Sequence, residues 1–366
     1  MVPKAGVRPN GAGAPDRDDV TTLTLVGQFS IPPLTRYPPG TGPVFGGISG
    51  LTAGTSPSEI FGLSDAHMGG RIYRFSLTGL PDAFKVSTIQ LIPLELGPTA
   101  EPDPEAIVRL RDGSFLVASE GTGREPRRAP SIVQHGRSGD FMRRIAVRDR
   151  YVPEATGPLT RGARGNAGFE SLTMTADGDH FFAATETALV QDGEPANFDT
   201  GTRARVLEYE RRGRTFEPGA EFAYEIDRLD APAFKPGFFI SGLVELLALD
   251  RMTLLAVERG YIEDAGHPGN GINRIRIYKV SLDEATDISA IDSLKNRPGI
   301  VPAAKTLVLD LSRTPGLSPE LEPSLDNFEG MAFGPRLADG RRTVVIVSDD
   351  NFNVSQRTWF LVFAIQ

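Results

Sequence analysis

The sequence predicts an all-β chain folded as a five-bladed β-propeller that its N-terminal strand closes. Three observations predict it. First, one phrase recurs, in which an acid opens an apolar run, a turn follows, and a second apolar run closes on another acid. Its fullest form is Gly165-Asn166-Ala167-Gly168-Phe169-Glu170-Ser171-Leu172 with Ala183-Ala184-Thr185-Glu186. It returns as Asp103-Pro104-Glu105-Ala106-Ile107 with Ala118-Ser119-Glu120, and as Gly242-Leu243-Val244-Glu245-Leu246 with Ala256-Val257-Glu258-Arg259. It returns again as Asp326-Asn327-Phe328-Glu329-Gly330-Met331 with Val347-Ser348-Asp349-Asp350-Asn351. A weaker copy, Gly47-Ile48-Ser49-Gly50-Leu51 with Gly62-Leu63-Ser64-Asp65, comes first. Second, the apolar runs have strand length and are rich in Val, Ile, Leu and Phe, and Asp112-Gly113, Asp177-Gly178 and Asp339-Gly340 supply hairpin turns. Third, every copy has four strand-like runs except the last, which has three.

In chain order, residues 1–19 have no periodicity and are expected to be a disordered tail, leaving 20–366 as one propeller domain. Blade one takes strands near 48–51, 59–63, 71–75 and 84–91, and blade two near 106–109, 115–118, 131–134 and 141–147. Blade three takes 170–174, 180–184, 205–209 and 221–226, and blade four 243–249, 253–257, 274–280 and 305–309. Blade five has 328–333, 343–347 and 358–365, and the orphan run at 22–31 is the obvious fourth strand. Closing the ring that way removes its exposed edges. Six blades are the alternative, but no further runs exist to build a sixth. Ser281 to Asp292 is expected to form one short helix, and long loops are expected at 119–131, 186–203 and 259–273.

Composition narrows the function. A net charge of -8 argues against nucleic acid and anionic membrane as partners, because both reward basic patches. The absence of cysteine excludes disulfides and thiolate zinc sites. No apolar stretch reaches the length of a membrane span, and the start, Met1-Val2-Pro3-Lys4, contains no apolar core of a signal peptide. The chain is expected to be a monomer.

In an antiparallel hairpin the start of the first strand and the end of the second lie at one edge, so each copy delivers its two acids to one end of its blade. Asp65, Glu105, Glu120, Glu170, Glu186, Glu245, Glu258, Glu329 and Asp349 should therefore gather on one rim of the central channel. Two carboxylates about 6 Å apart repel by about 3 kcal/mol at an effective dielectric near 20. Such a ring needs metal ions, arginines or protons to neutralise it. Oxygen donors alone are the hard-cation set, which predicts calcium first, with magnesium or manganese behind it. Asn166 and Asn327 add neutral oxygen donors. Arg259 follows Glu258 at a strand end and should point toward the rim, with Arg164 nearby. A fixed guanidinium beside a metal suits a phosphate or carboxylate substrate. Glu186 could orient an attacking water, and His67 is the one histidine close enough to reach the site. Ser49 breaks the acid pattern, so an opening is expected on the side of Asp65 and His67. A serine nucleophile elbow, a phosphate loop and a dinucleotide fingerprint are all missing.

With these residues the chain resembles the phytase-like β-propeller family known as "esterase-like activity of phytase". The matching phrases are Asp103-Pro104-Glu105-Ala106-Ile107, Ser119-Glu120-Gly121, Gly168-Phe169-Glu170-Ser171-Leu172, Thr185-Glu186, Val257-Glu258-Arg259-Gly260, Asp326-Asn327-Phe328-Glu329-Gly330 and Ser348-Asp349-Asp350-Asn351-Phe352. The resemblance implies a metal-dependent hydrolase of phosphoric esters acting on a small anionic substrate. It also implies a periplasmic or secreted protein whose signal peptide has been removed. Propeller phytases usually have six blades and calcium, whereas five blades are counted here. A calcium-dependent lactonase or carboxylesterase is the alternative in the same chemical class. A non-catalytic binding propeller with structural calcium is the alternative outside it.

Overall fold

The computed structural model describes residues 20–66, 69–95, 103–322 and 324–366. The expected tail over residues 1–19 lies outside them. Twenty strands form five four-stranded antiparallel sheets. Blade one is β2 (Ile48–Ala53), β3 (Glu59–Ser64), β4 (Arg71–Thr78) and β5 (Lys85–Pro93). Blade two is β6 (Pro104–Arg109), β7 (Phe115–Ser119), β8 (Ser131–His135) and β9 (Phe141–Ile145). Blade three is β10 (Phe169–Met174), β11 (His180–Thr185), β12 (Thr202–Arg212) and β13 (Thr215–Ile226). Blade four is β14 (Pro236–Ala248), β15 (Thr253–Asp264), β16 (Gly271–Ser281) and β17 (Ala304–Asp310). Blade five is β18 (Asn327–Gly334), β19 (Thr343–Asp349) and β20 (Thr358–Ile365), completed on its outside by β1 (Leu23–Ile31). The alternative of six blades is not supported, since five use every strand among the described residues.

Closure follows from the register. β1 pairs antiparallel with β20 from Leu23↔Ile365 to Ile31↔Thr358, so the ring is shut by backbone hydrogen bonds. Each blade is apolar on both faces, and the cores therefore lie between blades. Five clusters fill the five junctions, for example Phe75 of β4 against Phe360 of β20, with ring centroids 5.2 Å apart. The three Asp-Gly pairs do form turns, with φ of 88°, 73° and 90° at Gly113, Gly178 and Gly340. That left-handed region is open to glycine at little cost.

Two local expectations are overturned. Residues 281–292 form turns, and the described helical elements are short 3-10 turns at 149–151, 311–313 and 319–321. The backbone there serves the outer edge of β13 instead. Ile288 N–H donates to Glu221 O at 2.8 Å and Ala303 N–H to Ala223 O at 2.8 Å, which covers an otherwise open sheet edge. The expected loop at 259–273 is largely strand, because β14, β15 and β16 run well past the rim and project as a hairpin above it.

Every innermost strand contains a β-bulge two residues from its start or, in blade four, opposite the end of the standard-length hairpin. The pairing skips one residue in each: Ser49, Glu105, Glu170, Val244 and Glu329. A bulge re-aims a side chain: Glu105, Glu170 and Glu329 meet other rim groups, whereas Val244 packs into the apolar core between blades four and five.

Candidate active site

The bulges define which residues are equivalent, and this corrects the sequence reading at blade four. On the second strand, the residue one step beyond the bulge is Asp65, Glu120, Glu186, Arg259 and Asp349 in the five blades. The acids of blade four are each offset by one residue from this pattern. A one-residue offset in a strand sends a side chain to the opposite side. Val244, not Glu245, takes the bulge position, and Arg259, not Glu258, takes the strand-end position. Glu245 and Glu258 are therefore not rim residues.

Their surroundings agree. Glu258 accepts from Tyr224 Oη at 2.8 Å and Asp227 N at 3.2 Å and is ion-paired with Lys305. It is a buried acid at the junction of blades three and four, raised by burial and held down by Lys305. Glu245 lies deeper on the channel axis. Its Oε1 accepts the Leu246 N–H at 3.0 Å, and the N–H groups of Met331, Leu172 and Leu51 favour its charge from three other blades. Oε2 closes no hydrogen bond, and burial drives the carboxyl well above its usual range.

The remaining acids form a continuous rim. From blade one round to blade five it reads Asp65, Asp103, Glu105, Glu120, Glu170, Glu186, Arg259, Asn327, Glu329 and Asp349. Adjacent members from Asp65 to Glu329 interact, and Asp349 closes the ring through Arg259 on one side and Asp65 on the other. One short segment of this ring gathers three acids tightly: a carboxylate oxygen from each of Asp65, Asp103 and Glu105 lies within 4.8 Å of the other two.

Electrostatics show how strained the ring is without a countercharge. Burial, then Asp103 and Asp350, push Asp65 up to about 7. Burial and then Asp65 push Asp349 up to about 8, and burial and Glu105 push Glu120 up to about 9. Glu105 and Glu170 keep a little exposure at the channel mouth, but protein encloses them otherwise, and burial followed by neighbouring carboxylates raises both strongly. Glu120 is the largest electrostatic neighbour of Glu170 and raises it further, so this pair favours holding a proton.

The opposite side of the rim carries its only guanidinium among the described residues. Arg259 donates to Asn327 Oδ1 at 2.7 Å and to Glu186 Oε1 at 3.2 Å, and is ion-paired with Glu329. Asn327 Nδ2 in turn donates to Glu329 Oε1 at 2.9 Å. The Arg259 Nε is buried with no partner. Glu186 is raised by burial and drawn back by Arg259.

The donor set suits a hard cation. Ligands about 2.3–2.6 Å from one calcium can lie up to about 5 Å apart, which the Asp65, Asp103 and Glu105 oxygens satisfy. Asp65 Oδ1 and Glu120 Oε2 are buried without a hydrogen-bond donor, and Glu120 is only 3% exposed. Buried carboxylate oxygens ordinarily find a partner. Backbone packing leaves room for little else here: a Cβ on Gly47, at φ 63°, would lie 2.1 Å from Asp65 Oδ1, and one on Gly242 would lie 2.3 Å from Glu186 Cγ. A second acidic group, His180 with Glu208 and Glu210, is already neutralised by Arg251, whose Nε donates to Glu208 Oε1 at 2.6 Å.

Two other expected residues sit apart from the rim acids. Arg164 donates to Gly193 O at 2.6 Å and faces Glu194. Asn166 is exposed on a left-handed turn, at φ 58°, and lines a cleft beside Arg259. His67 lies outside the described residues. Asp103 is the rim acid that the repeat pattern passed over. It occupies the position of Gly47, Gly168, Gly242 and Asn327 in the other copies, and the signal was present in the phrase Asp103-Pro104-Glu105, two acids on alternate residues.

Comparison with known proteins places this arrangement. An uncharacterized secreted protein of Arthroderma benhamiae is 28% identical over 134 residues, which covers 31% of this chain and 25% of that protein. The chain thus spans about a quarter of that relative's length. Among solved structures, the periplasmic gluconolactonase PpgL of Pseudomonas aeruginosa is 12% identical with a TM-score of 0.36, covering 91% of this chain and 94% of that one. The α-L-arabinanase of Penicillium chrysogenum is 12% identical with a TM-score of 0.41, covering 90% and 80%. The model of the phytase-like family described as "Esterase-like activity of phytase" matches residues 43–352, a span that includes the inner hairpin of every blade, and the protein belongs to that family.

Proposed function

We propose that the rim is the active site of a divalent-cation-dependent hydrolase of phosphoric esters. Asp65, Asp103 and Glu105 would hold the cation, calcium first and magnesium or manganese next. The observation that carries this reading is the pair of buried carboxylate oxygens without donors, Asp65 Oδ1 and Glu120 Oε2, inside a ring of mutually repelling acids. A cation bound there supplies Lewis acidity to a phosphoryl oxygen and lowers the pKa of a water.

The protein's own groups divide the remaining work. Arg259, fixed by Glu186, Glu329 and Asn327 and lining the cleft beside the rim, presents a held guanidinium to an anionic ester oxygen. A guanidinium so held needs no reorganisation as negative charge develops. The Glu120–Glu170 pair retains a proton at neutral pH, which it can donate to the leaving oxygen. Glu186 is engaged by Arg259, so it acts by positioning that arginine rather than by orienting water. Export from the cytoplasm is part of the proposal, supported by the description of the Arthroderma benhamiae relative as secreted.

Hydrolysis of p-nitrophenyl phosphate and bis-p-nitrophenyl phosphate, assayed with calcium and after chelation, tests the reading. Turnover lost on chelation and restored by calcium is expected. No cation-dependent turnover on either substrate overturns it. Faster turnover of p-nitrophenyl acetate or a lactone would move the reaction to carboxylic esters, which can use the same cation and the same proton donor.

A further inference from the structure

Beside the rim, on the Arg259 side, lies a cleft of about 840 Å³ that the ester chemistry does not use. Its floor is Arg259 and Asn327, and one wall is the part of β14, β15 and β16 that rises past the rim. That wall carries two aromatic rings. Phe238 is 61% exposed, and Tyr261 stands 6.4 Å from it, centroid to centroid, at 43°. A Cβ on Gly271 would lie 2.5 Å from the Tyr261 ring, so glycine lets that ring lie against the neighbouring strand. Asn166 and Asn270 also line the cleft, and neither side-chain amide has a hydrogen-bond partner among the described residues.

Charge excludes a polyanion from this space. The cleft's two cations are both engaged, Arg259 by Glu186 and Glu329, and Arg357 by Glu320 at 3.0 Å. Glu320, Glu322 and Asp326 line the same walls, so acids outnumber bases there. The cleft thus offers the exposed Phe238 ring beside the half-buried Tyr261, and free amides, with one anion-binding group at its floor. Aromatic faces attract the weakly positive C–H edges of a sugar ring. An Asn amide presents a donor and an acceptor side by side, which matches vicinal hydroxyl groups. The volume falls within the range of small-ligand pockets, about 300–1,000 Å³.

We propose that this cleft binds an uncharged sugar or cyclic polyol ring carried by the substrate. Taken together with the proposed rim chemistry, on which this part rests, the substrate class is an ester of such a ring bearing a single anionic group rather than a densely phosphorylated polyol.

Saturation-transfer NMR tests the ring subsite directly on chelated wild-type protein, with methyl β-glucopyranoside, methyl α-mannopyranoside, maltose and myo-inositol as probes. Transfer to the ring C–H protons of at least one probe is expected, reduced at least fivefold in Tyr261→Ala and in Asn270→Ala. The second variant is on the surface and guards against a folding defect in the first. No transfer from any probe to wild type, or transfer unchanged in both variants, overturns the proposal. Calorimetry with calcium present supplies a second arm: inositol hexakisphosphate is expected to bind no more tightly than glucose 6-phosphate, and tenfold tighter binding of the hexakisphosphate overturns the single-anion assignment. The neutral probes contain no ester and need no cation. A null result with them therefore leaves hydrolysis at the rim standing, and absent hydrolysis leaves the ring subsite standing.

Discussion

Stripped of any cation, the protein should lose stability as pH rises from 5 to 8, the reverse of an ordinary acid-rich fold. Asp65 shows why. Its carboxyl goes from 3.8 to about 7 on folding, so the folded state keeps a proton that the unfolded chain has released. Stability is fully present below the unfolded value near 4 and is lost as pH rises toward 7. At about 1.36 kcal/mol per unit, Asp65 alone is worth about 4 kcal/mol. Asp349 and Glu120 extend the window to about 8 and 9, but groups that share one repulsion titrate together and do not add. About two of those Asp65 units fall between pH 5 and 8, about 2.7 kcal/mol. With an unfolding entropy of about 2.1 cal/mol/K per residue, 1 kcal/mol shifts Tm by about 1.3 °C in a chain of 366 residues, so Asp65 gives a fall of about 3–4 °C. Acids such as Asp112 and Asp177, lowered by their own hydrogen bonds, act in the opposite sense only below about pH 4, outside this window. Saturating calcium should flatten the slope, because binding to ionised carboxylates strengthens with pH. Asp65→Asn should raise the cation-free Tm at pH 8. The assay is a thermal melt by circular dichroism at each pH, with chelator and with calcium. A cation-free Tm that is flat or rising between pH 5 and 8 refutes the electrostatic account of the rim.

Arg259→Lys removes the planar fork that holds Glu186, Glu329 and Asn327 together, and kcat/KM on p-nitrophenyl phosphate should fall about 10²-fold or more. Glu120→Gln should slow esters of poor leaving groups by about 10²-fold or more while sparing p-nitrophenyl esters, whose leaving group needs no proton; steady-state kinetics on paired alkyl and nitrophenyl phosphates would reveal equal losses if the assignment is wrong. Glu245→Ala should cost about 2–3 kcal/mol in a denaturant melt, since it opens a void on the axis and strands the Leu246 N–H, yet leave calcium affinity within about twofold.

Much of the fold was legible because strands buried on both faces leave continuous apolar runs and each copy repeats the same acid-bounded hairpin. The N-terminal strand could be assigned from a count of runs alone, and it pairs with β20 as expected. Blade four resisted for a physical reason. Its acids, Glu245 and Glu258, stand one residue away from the positions filled in the other copies, and only the bulge pairing shows which residue turns inward. A motif reading aligns like with like and so matched acid to acid, whereas the fold put Val244 at the bulge and Arg259 at the rim. The same limit hid Asp103, whose role depends on Asp65 and Glu105 arriving from two different blades. The helix expected at 281–292 failed because an acidic composition says nothing about the open edge of β13 that this segment covers.

The central claim is that Asp65, Asp103 and Glu105 form a cation site. Crystals soaked in manganese, a scatterer that can stand in for calcium at an oxygen site, test it by anomalous diffraction. One strong peak is predicted within coordination distance of carboxylate oxygens from all three residues. An empty rim, or a peak seated only at His180, Glu208 and Glu210, would contradict it.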